Sequence, residues 1–225
     1  MHCGSVRSGP GHKVKESRHI SIYIFFSIIG YLTGSFLFAP FWGRMLKHKD
    51  ILEGTKDQNP GTANAFMEGG FWCGVLTLAG DLAKGFLPVF GCIWVTTGLG
   101  IHMPAGLALV MTAPVIGHAF PVYHHFHGGK GIAVSFGSLL GLFPDLRPAL
   151  TLAAFFILFS LVIRISPHYY RTIMTYVCMM LYLLLLGKNP VYKLAGCMIT
   201  AVVCLRMHLS TEEREGCKVK LLWKH

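Results

Sequence analysis

The feature that most constrains this chain is the length of its uncharged stretches. From His19 to Trp42, 24 consecutive residues include no Asp, Glu, Lys or Arg. About 20 mostly apolar residues in an α-helix suffice to cross the hydrocarbon core of a bilayer. Within that core only helices and closed barrels satisfy every backbone polar group. Seven segments of this kind can be drawn: His19–Trp42, Gly70–Gly98, Met103–Phe120, Gly131–Phe143, Leu146–Ile163, Thr172–Leu186 and Pro190–Leu205. The fourth is short enough for a half-helix or a re-entrant segment. Turn-forming residues fill the gaps, as at Gly98-Leu99-Gly100, Phe143-Pro144-Asp145, Ser166-Pro167 and Asn189-Pro190. Charged residues make up 13% of the chain, against roughly 25% in a soluble domain, which is too few to cover a globule of this size. The expected fold is an all-α integral membrane bundle of about seven transmembrane helices. A polar, basic extension (1–18) precedes the bundle (19–208), and a charged cytoplasmic tail (209–225) follows it. The first apolar run has no small-residue cleavage site and reads as a helix, not a signal peptide.

The net charge is +10, but the basic residues sit between apolar runs and are not interleaved with aromatics. That pattern suits anionic headgroups and phosphorylated substrates and argues against nucleic acid. Lys and Arg also set topology, being enriched on the cytoplasmic side. The first, third and fifth loops and the tail carry twelve of the twenty; the N-terminal segment and the remaining loops carry seven, and Lys84 lies within the second segment. The bias places those loops and the tail inside and the N-terminus outside. The seven cysteines, Cys3, Cys73, Cys92, Cys178, Cys197, Cys204 and Cys217, form no CxxC pair, and most lie in apolar runs as small hydrophobes.

The unusual polar residues crowd the one face. In the third loop, Gly117-His118-Ala119-Phe120-Pro121 is followed by Gly128-Gly129-Lys130-Gly131. Glycines around a lysine let the backbone approach an anion, and a helix starting at Gly131 adds its positive end. The GxxxxGK[ST] spacing of a nucleotide-binding loop is absent. His118, His124, His125 and His127 raise a metal site as an alternative, but no carboxylate or cysteine pair stands nearby, so no metal is assigned. His118 is the histidine expected to touch substrate or move a proton. Asn59-Pro60-Gly61-Thr62-Ala63-Asn64 reads as a turn or as a polar pocket wall. Asp81 and Lys84, three apart in an apolar run, share a helix face and can pair. Ser35, after Gly34, is either reactive or a small packing residue.

Taken together, Gly34-Ser35, Asn59 to Asn64, Asp81-Leu82-Ala83-Lys84-Gly85, Gly117 to Pro121 and Gly128 to Gly131 resemble the bacterial acyl-phosphate:glycerol-3-phosphate acyltransferases in order and approximate spacing. The resemblance covers about residues 29–138 through motifs and the remainder through hydropathy. It implies a seven-helix bundle in the bacterial cell membrane with its active-site face cytoplasmic. It further implies transfer of an acyl chain from acyl phosphate to the sn-1 hydroxyl of glycerol 3-phosphate, giving lysophosphatidic acid and phosphate for phospholipid synthesis, with no cofactor. The chain departs from the family pattern at two places. Glu53 stands nearest the position of a family arginine, and Arg206-Met207-His208 replaces an adjacent Arg-His pair followed by Asn.

Acyl phosphate is already activated, so no acyl-enzyme is needed. The chemistry calls for anion binding, oxyanion stabilisation and positioning. Catalytic candidates are His118, Ser35 and His208. Substrate-binding candidates are Asn59, Gly61, Asn64, Lys84, Gly128, Gly129, Lys130, Gly131, Arg171 and Arg206. Gly128 to Gly131 with Lys130 form the donor-phosphate site. Ser35, Lys84, Arg171, Arg206 and His208 are assigned to the acceptor. Either His118 or the substrate phosphate takes the proton. Partners are these two substrates and membrane lipids. A transporter of a small anion and a non-catalytic scaffold are the competing classes; the absence of an obvious inverted repeat and the crowding of polar residues on one face weigh against the first.

Overall fold

A computed structural model describes residues 10–48, 51, 59–211, 214 and 216–222, with side chains from His19 onward. Residues 1–9 of the expected extension, and Glu53 and Lys56-Asp57-Gln58 of the first loop, lie outside the described residues. The helices follow in order as α1 (Pro10–Gly34), α2 (Phe38–Lys47), α3 (Thr62–Gly69), α4 (Phe71–Gly98), α5 (Pro104–Ala119), α6 (Ile132–Leu140), α7 (Arg147–Ile157), α8 (His168–Leu185) and α9 (Pro190–Leu209). A π-helical turn, Leu158–Val162, prolongs α7.

Among the described residues four stretches are long and apolar enough to cross a membrane: His19–Lys47, Phe71–Gly98, Pro104–His124 and Pro190–Leu209. The other expected spans are shorter. α6 has 9 residues, fewer than the roughly 20 a full span needs, in keeping with the short segment expected. Arg147–Val162 is a shorter apolar helix. α8 has 18 residues, about 27 Å at 1.5 Å per residue, and starts at His168, four residues before the expected Thr172.

α5 occupies the centre. Its sequence is apolar all round, with eleven buried positions, as a helix surrounded by others must be. It packs against α1, α4, α6 and α9. Small residues allow the closest of these approaches: Gly117 lies against the backbone of Tyr31, and Gly34 against that of Pro114. The core then continues through Met111, Val134, Leu139, Leu152, Tyr176, Met179, Ile199 and Val203, all fully buried. α9 begins where its sequence says it should: the Asn189 side chain accepts from the Val191 N–H at 2.9 Å and Pro190 occupies the first turn. Asp145, in the α6–α7 connection, pairs with Arg147 at 2.6 Å and accepts from the Tyr192 hydroxyl of α9. The Arg147 guanidinium holds its carboxyl well below the usual carboxylate range.

The structure corrects two expectations. The first segment does not run unbroken to Trp42: α1 ends at Gly34 and α2 starts at Phe38. Within a continuous helix the Phe36 carbonyl would accept from residue 40, but residue 40 is proline and has no N–H. The freed carbonyl accepts instead from Lys84 Nζ of α4 at 2.7 Å. Second, the chain is not helical throughout. β1 (Ile163–Ser166) and β2 (Lys218–Leu221) form an antiparallel ribbon, with Arg164 opposite Lys220 and Ser166 opposite Lys218. The tail therefore returns to the bundle; Arg214 stacks over the Tyr169 ring at 4.9 Å and its backbone carbonyl accepts from Tyr170 Oη at 3.3 Å.

Candidate active site

The polar centre is assembled where α4 meets the C-terminal end of α5. Asp81 and Lys84 lie one turn apart on α4, both at least 95% buried, and pair at 2.8 Å. The ammonium of Lys84 forms an ion pair with Asp81 Oδ1 and hydrogen-bonds the Phe36 carbonyl at 2.7 Å and His118 Nδ1 at 2.8 Å. Because an ammonium can only donate, His118 Nδ1 is an acceptor and its proton belongs on Nε2 by the logic of the network. Asp81 Oδ2 in turn accepts from Thr62 Oγ1 at 3.4 Å, which ties the start of α3 to the same centre.

The glycine-rich loop folds back over His118. The Gly129 N–H donates to the His118 carbonyl at 3.0 Å. The Nε2 edge of the ring lies so close to the Gly129 Cα that a Cβ there would run into it. Gly131 has φ +79°, a conformation glycine adopts at little cost, and it turns the chain into α6. Gly131, Ile132 and Ala133 then present the first turn of α6 to a cavity of about 480 Å³. The first N–H groups of a helix lack intrahelical partners and carry its positive end. The same cavity is lined by Asn59, Gly61, Thr62 and Asn64, by Asp81, His118 and Lys130, and by His168 and Arg171 of α8; Leu78 and Phe136 supply apolar walls. Asn64 Nδ2 donates to the Asn59 carbonyl at 2.8 Å, holding that wall together.

Seven of the thirteen residues singled out from sequence thus face one cavity: His118, Asn59, Gly61, Asn64, Lys130, Gly131 and Arg171. The other six do not line it. Lys84 holds His118 from behind. Gly128 and Gly129 are buried, and the N–H of Gly129 is engaged by His118 rather than open to an anion. Arg206 donates to the Gly128 carbonyl through Nε at 3.2 Å and Nη2 at 2.5 Å, supporting the loop from α9. Ser35 is fully buried; its hydroxyl donates to the Tyr31 carbonyl at 2.8 Å and accepts from the Val122 N–H at 3.3 Å. His208 is exposed near the end of α9. The remaining loop histidines separate from His118 as well, since His125 and His127 are exposed and His124 half-buried.

His168 was missed as a cavity residue, and Thr62, although within the Asn59–Asn64 motif, was not among the named candidates. His168 stands three residues before Arg171 on the same helix face, and its Nδ1 lies 2.8 Å from Arg171 Nη2. The i, i+3 spacing was the available signal; the unexpected early start of α8 concealed it.

Residues 24–214 match the family described as glycerol-3-phosphate acyltransferase. A glycerol-3-phosphate acyltransferase of Pseudomonas paraeruginosa is 41% identical over 128 residues, 57% of this chain and 63% of that protein. The chain therefore spans somewhat under two thirds of the length of that relative. One of Ralstonia pickettii is 36% identical over 156 residues, 65% of this chain and 74% of that protein. The crystal structure of PlsY, an integral membrane glycerol 3-phosphate acyltransferase, in its glycerol 3-phosphate form, superposes with a TM-score of 0.68 at 26% identity, covering 83% of this chain and 88% of that one. Its lysophosphatidic acid form gives 0.65.

Proposed function

The chain belongs to the glycerol-3-phosphate acyltransferase family, and on that premise we propose that it transfers a fatty acyl chain from acyl phosphate to the sn-1 hydroxyl of glycerol 3-phosphate. The products are lysophosphatidic acid and phosphate. The observation that carries this reading is the single cavity in which the α6 N-terminus, Lys130, Arg171 and the buried His118 converge. Two anionic substrates need this much positive potential, and acyl transfer needs a donor aimed at the developing oxyanion.

In the proposed reaction the hydroxyl oxygen of the acceptor bonds to the acyl carbon, and the bond from that carbon to the phosphate oxygen breaks. Phosphate leaves with the electron pair. Lys130 and the first turn of α6 hold the donor phosphate, and Arg171 with the Asn59–Asn64 wall holds the acceptor. His118, with Nδ1 occupied by Lys84, offers Nε2–H as a hydrogen-bond donor to the oxyanion. The hydroxyl proton then goes to the departing phosphate, which is basic enough to accept it, and no acyl-enzyme forms. The acyl chain stays in the apolar bundle.

The protein works as a multi-pass protein of the bacterial cell membrane, with the cavity on the cytoplasmic face. Its N-terminal extension (1–18) and charged tail (209–225) flank the catalytic bundle. Substituting Lys130 by Ala tests the donor assignment: phosphate release from acyl phosphate should fall sharply at normal protein levels in the membrane. Full activity in that variant contradicts the assignment.

A further inference from the structure

A second basic cavity adjoins the first. It measures about 400 Å³ and is lined by Ser160, Arg164, Ser166, Arg171, Lys218 and Lys220, with Ile165 behind. The ribbon register explains its composition. Arg164 lies directly opposite Lys220, and Ser166 opposite Lys218. Because side chains alternate along a strand, these four project from one face, while Ile163, Ile165, Val219 and Leu221 take the other. Like charges directly opposite one another destabilise an antiparallel pair, and among the described residues none that lines this cavity is acidic. The arrangement makes physical sense if an anion sits among the three ribbon cations. Arg171 belongs to the walls of both cavities, so the two share one basic residue.

We propose that the ribbon face is a second binding site for a phosphate group, outside the catalytic cavity and handing anions to it or receiving them from it through Arg171. The ligand class is a phosphomonoester dianion, and the hydroxyls of Ser160 and Ser166 add donors to the three ribbon cations. The two sources of such a group are a soluble phosphate compound, as acceptor or leaving phosphate, and the headgroup of a phosphatidate-like lipid. The inference rests on the proposed reaction for its ligand, and on the ribbon geometry alone for the site. Focusing by a basic vestibule raises encounter rates by roughly 10–1,000-fold at low salt.

The test compares the wild-type chain with the triple variant R164Q/K218Q/K220Q, which leaves the catalytic cavity intact. Calorimetric titration with inorganic phosphate in neutral detergent should show two sites in the wild type and one in the variant. With glycerol 3-phosphate as acceptor, KM should rise about 10-fold at low salt with kcat within about twofold, and the difference should vanish at high salt. If a lipid headgroup is the occupant, phosphatidate in phosphatidylcholine nanodiscs should raise the Tm of the wild type but not of the variant, while inorganic phosphate shows only one site in both. Should the triple variant fold poorly, K220E places a carboxylate opposite Arg164, strengthens the ribbon and removes the site. Identical phosphate titrations and identical phosphatidate responses in wild type and variants overturn the proposal. A wild-type protein that binds two phosphates but releases none from acyl phosphate overturns the proposed reaction and leaves the site standing.

Discussion

Two basic centres among the described residues are built on opposite principles, one around Lys84 and one on the ribbon. Around Lys84 the cation is buried, paired with a carboxylate and hydrogen-bonded to a backbone carbonyl and to His118. Around Arg164, Lys218 and Lys220 the side chains are exposed, Arg164 lies directly opposite Lys220, and among the described residues none that lines their shared cavity is acidic. Burying a charge is tolerable only when it is paired and hydrogen-bonded, so the first cluster is closed and serves to orient His118. An exposed cluster bears its repulsion in water and stays open to ligands. On the proposed reading, the difference separates charge that positions a side chain from charge that binds a ligand.

The largest effect should come from opening the closed cluster. Lys84→Met leaves Asp81 buried without its cation, and breaking a buried pair costs about 3–5 kcal/mol. Thermal unfolding in detergent should show that loss. The double variant D81N/K84M should recover most of the stability but not the activity, because His118 remains unheld. Recovery of both would mean that Lys84 does not position the ring.

Next comes Gly129→Ala. The added methyl group meets the His118 ring, and a displacement of about 1 Å at a reacting centre can lower turnover by about 100-fold. The expected signature is a fall in kcat with the protein still folded.

Arg206→Lys should have a smaller effect, about 10-fold in kcat/KM. A lysine cannot reproduce the two-donor grip on the Gly128 carbonyl, and hydrogen bonds from charged groups contribute about 1.5–3 kcal/mol. An unchanged KM for acyl phosphate would show that the loop keeps its shape without Arg206.

The smallest effect belongs to the open cluster. Lys220→Gln should change unfolding stability by no more than about 0.5 kcal/mol, measured in phosphate-free buffer. A large destabilisation there would mean that the ribbon cations are structural after all and would erase the contrast.

Much of this was legible in the sequence. The apolar runs gave α4, α5, α6 and α9 to within a few residues, because Gly and Pro mark their ends. The motifs at Asn59–Asn64, His118 and Lys130–Gly131 converge on one cavity, as their placement on one face of the membrane implied. What the sequence concealed was of two physical kinds. Local breaks depend on a distant acceptor or donor: the end of α1 makes sense only once Pro40 frees the Phe36 carbonyl and Lys84 takes it. Long-range pairing is not encoded by period at all; the ribbon joins Ile163–Ser166 to a tail more than fifty residues later, and its four-residue strands read simply as the end of one apolar run and a charged tail. The roles of Ser35 and Arg206 were hidden for the same reason, since each is defined by a backbone group far away in the chain.

The central claim is that the cavity around His118 brings an acyl phosphate and an acceptor hydroxyl together. The most direct measurement is phosphate release from palmitoyl phosphate by the purified protein in detergent, with and without glycerol 3-phosphate. Release that depends on glycerol 3-phosphate, with lysophosphatidic acid formed in equal amount, is the predicted result. A folded protein that releases no phosphate under either condition would contradict it.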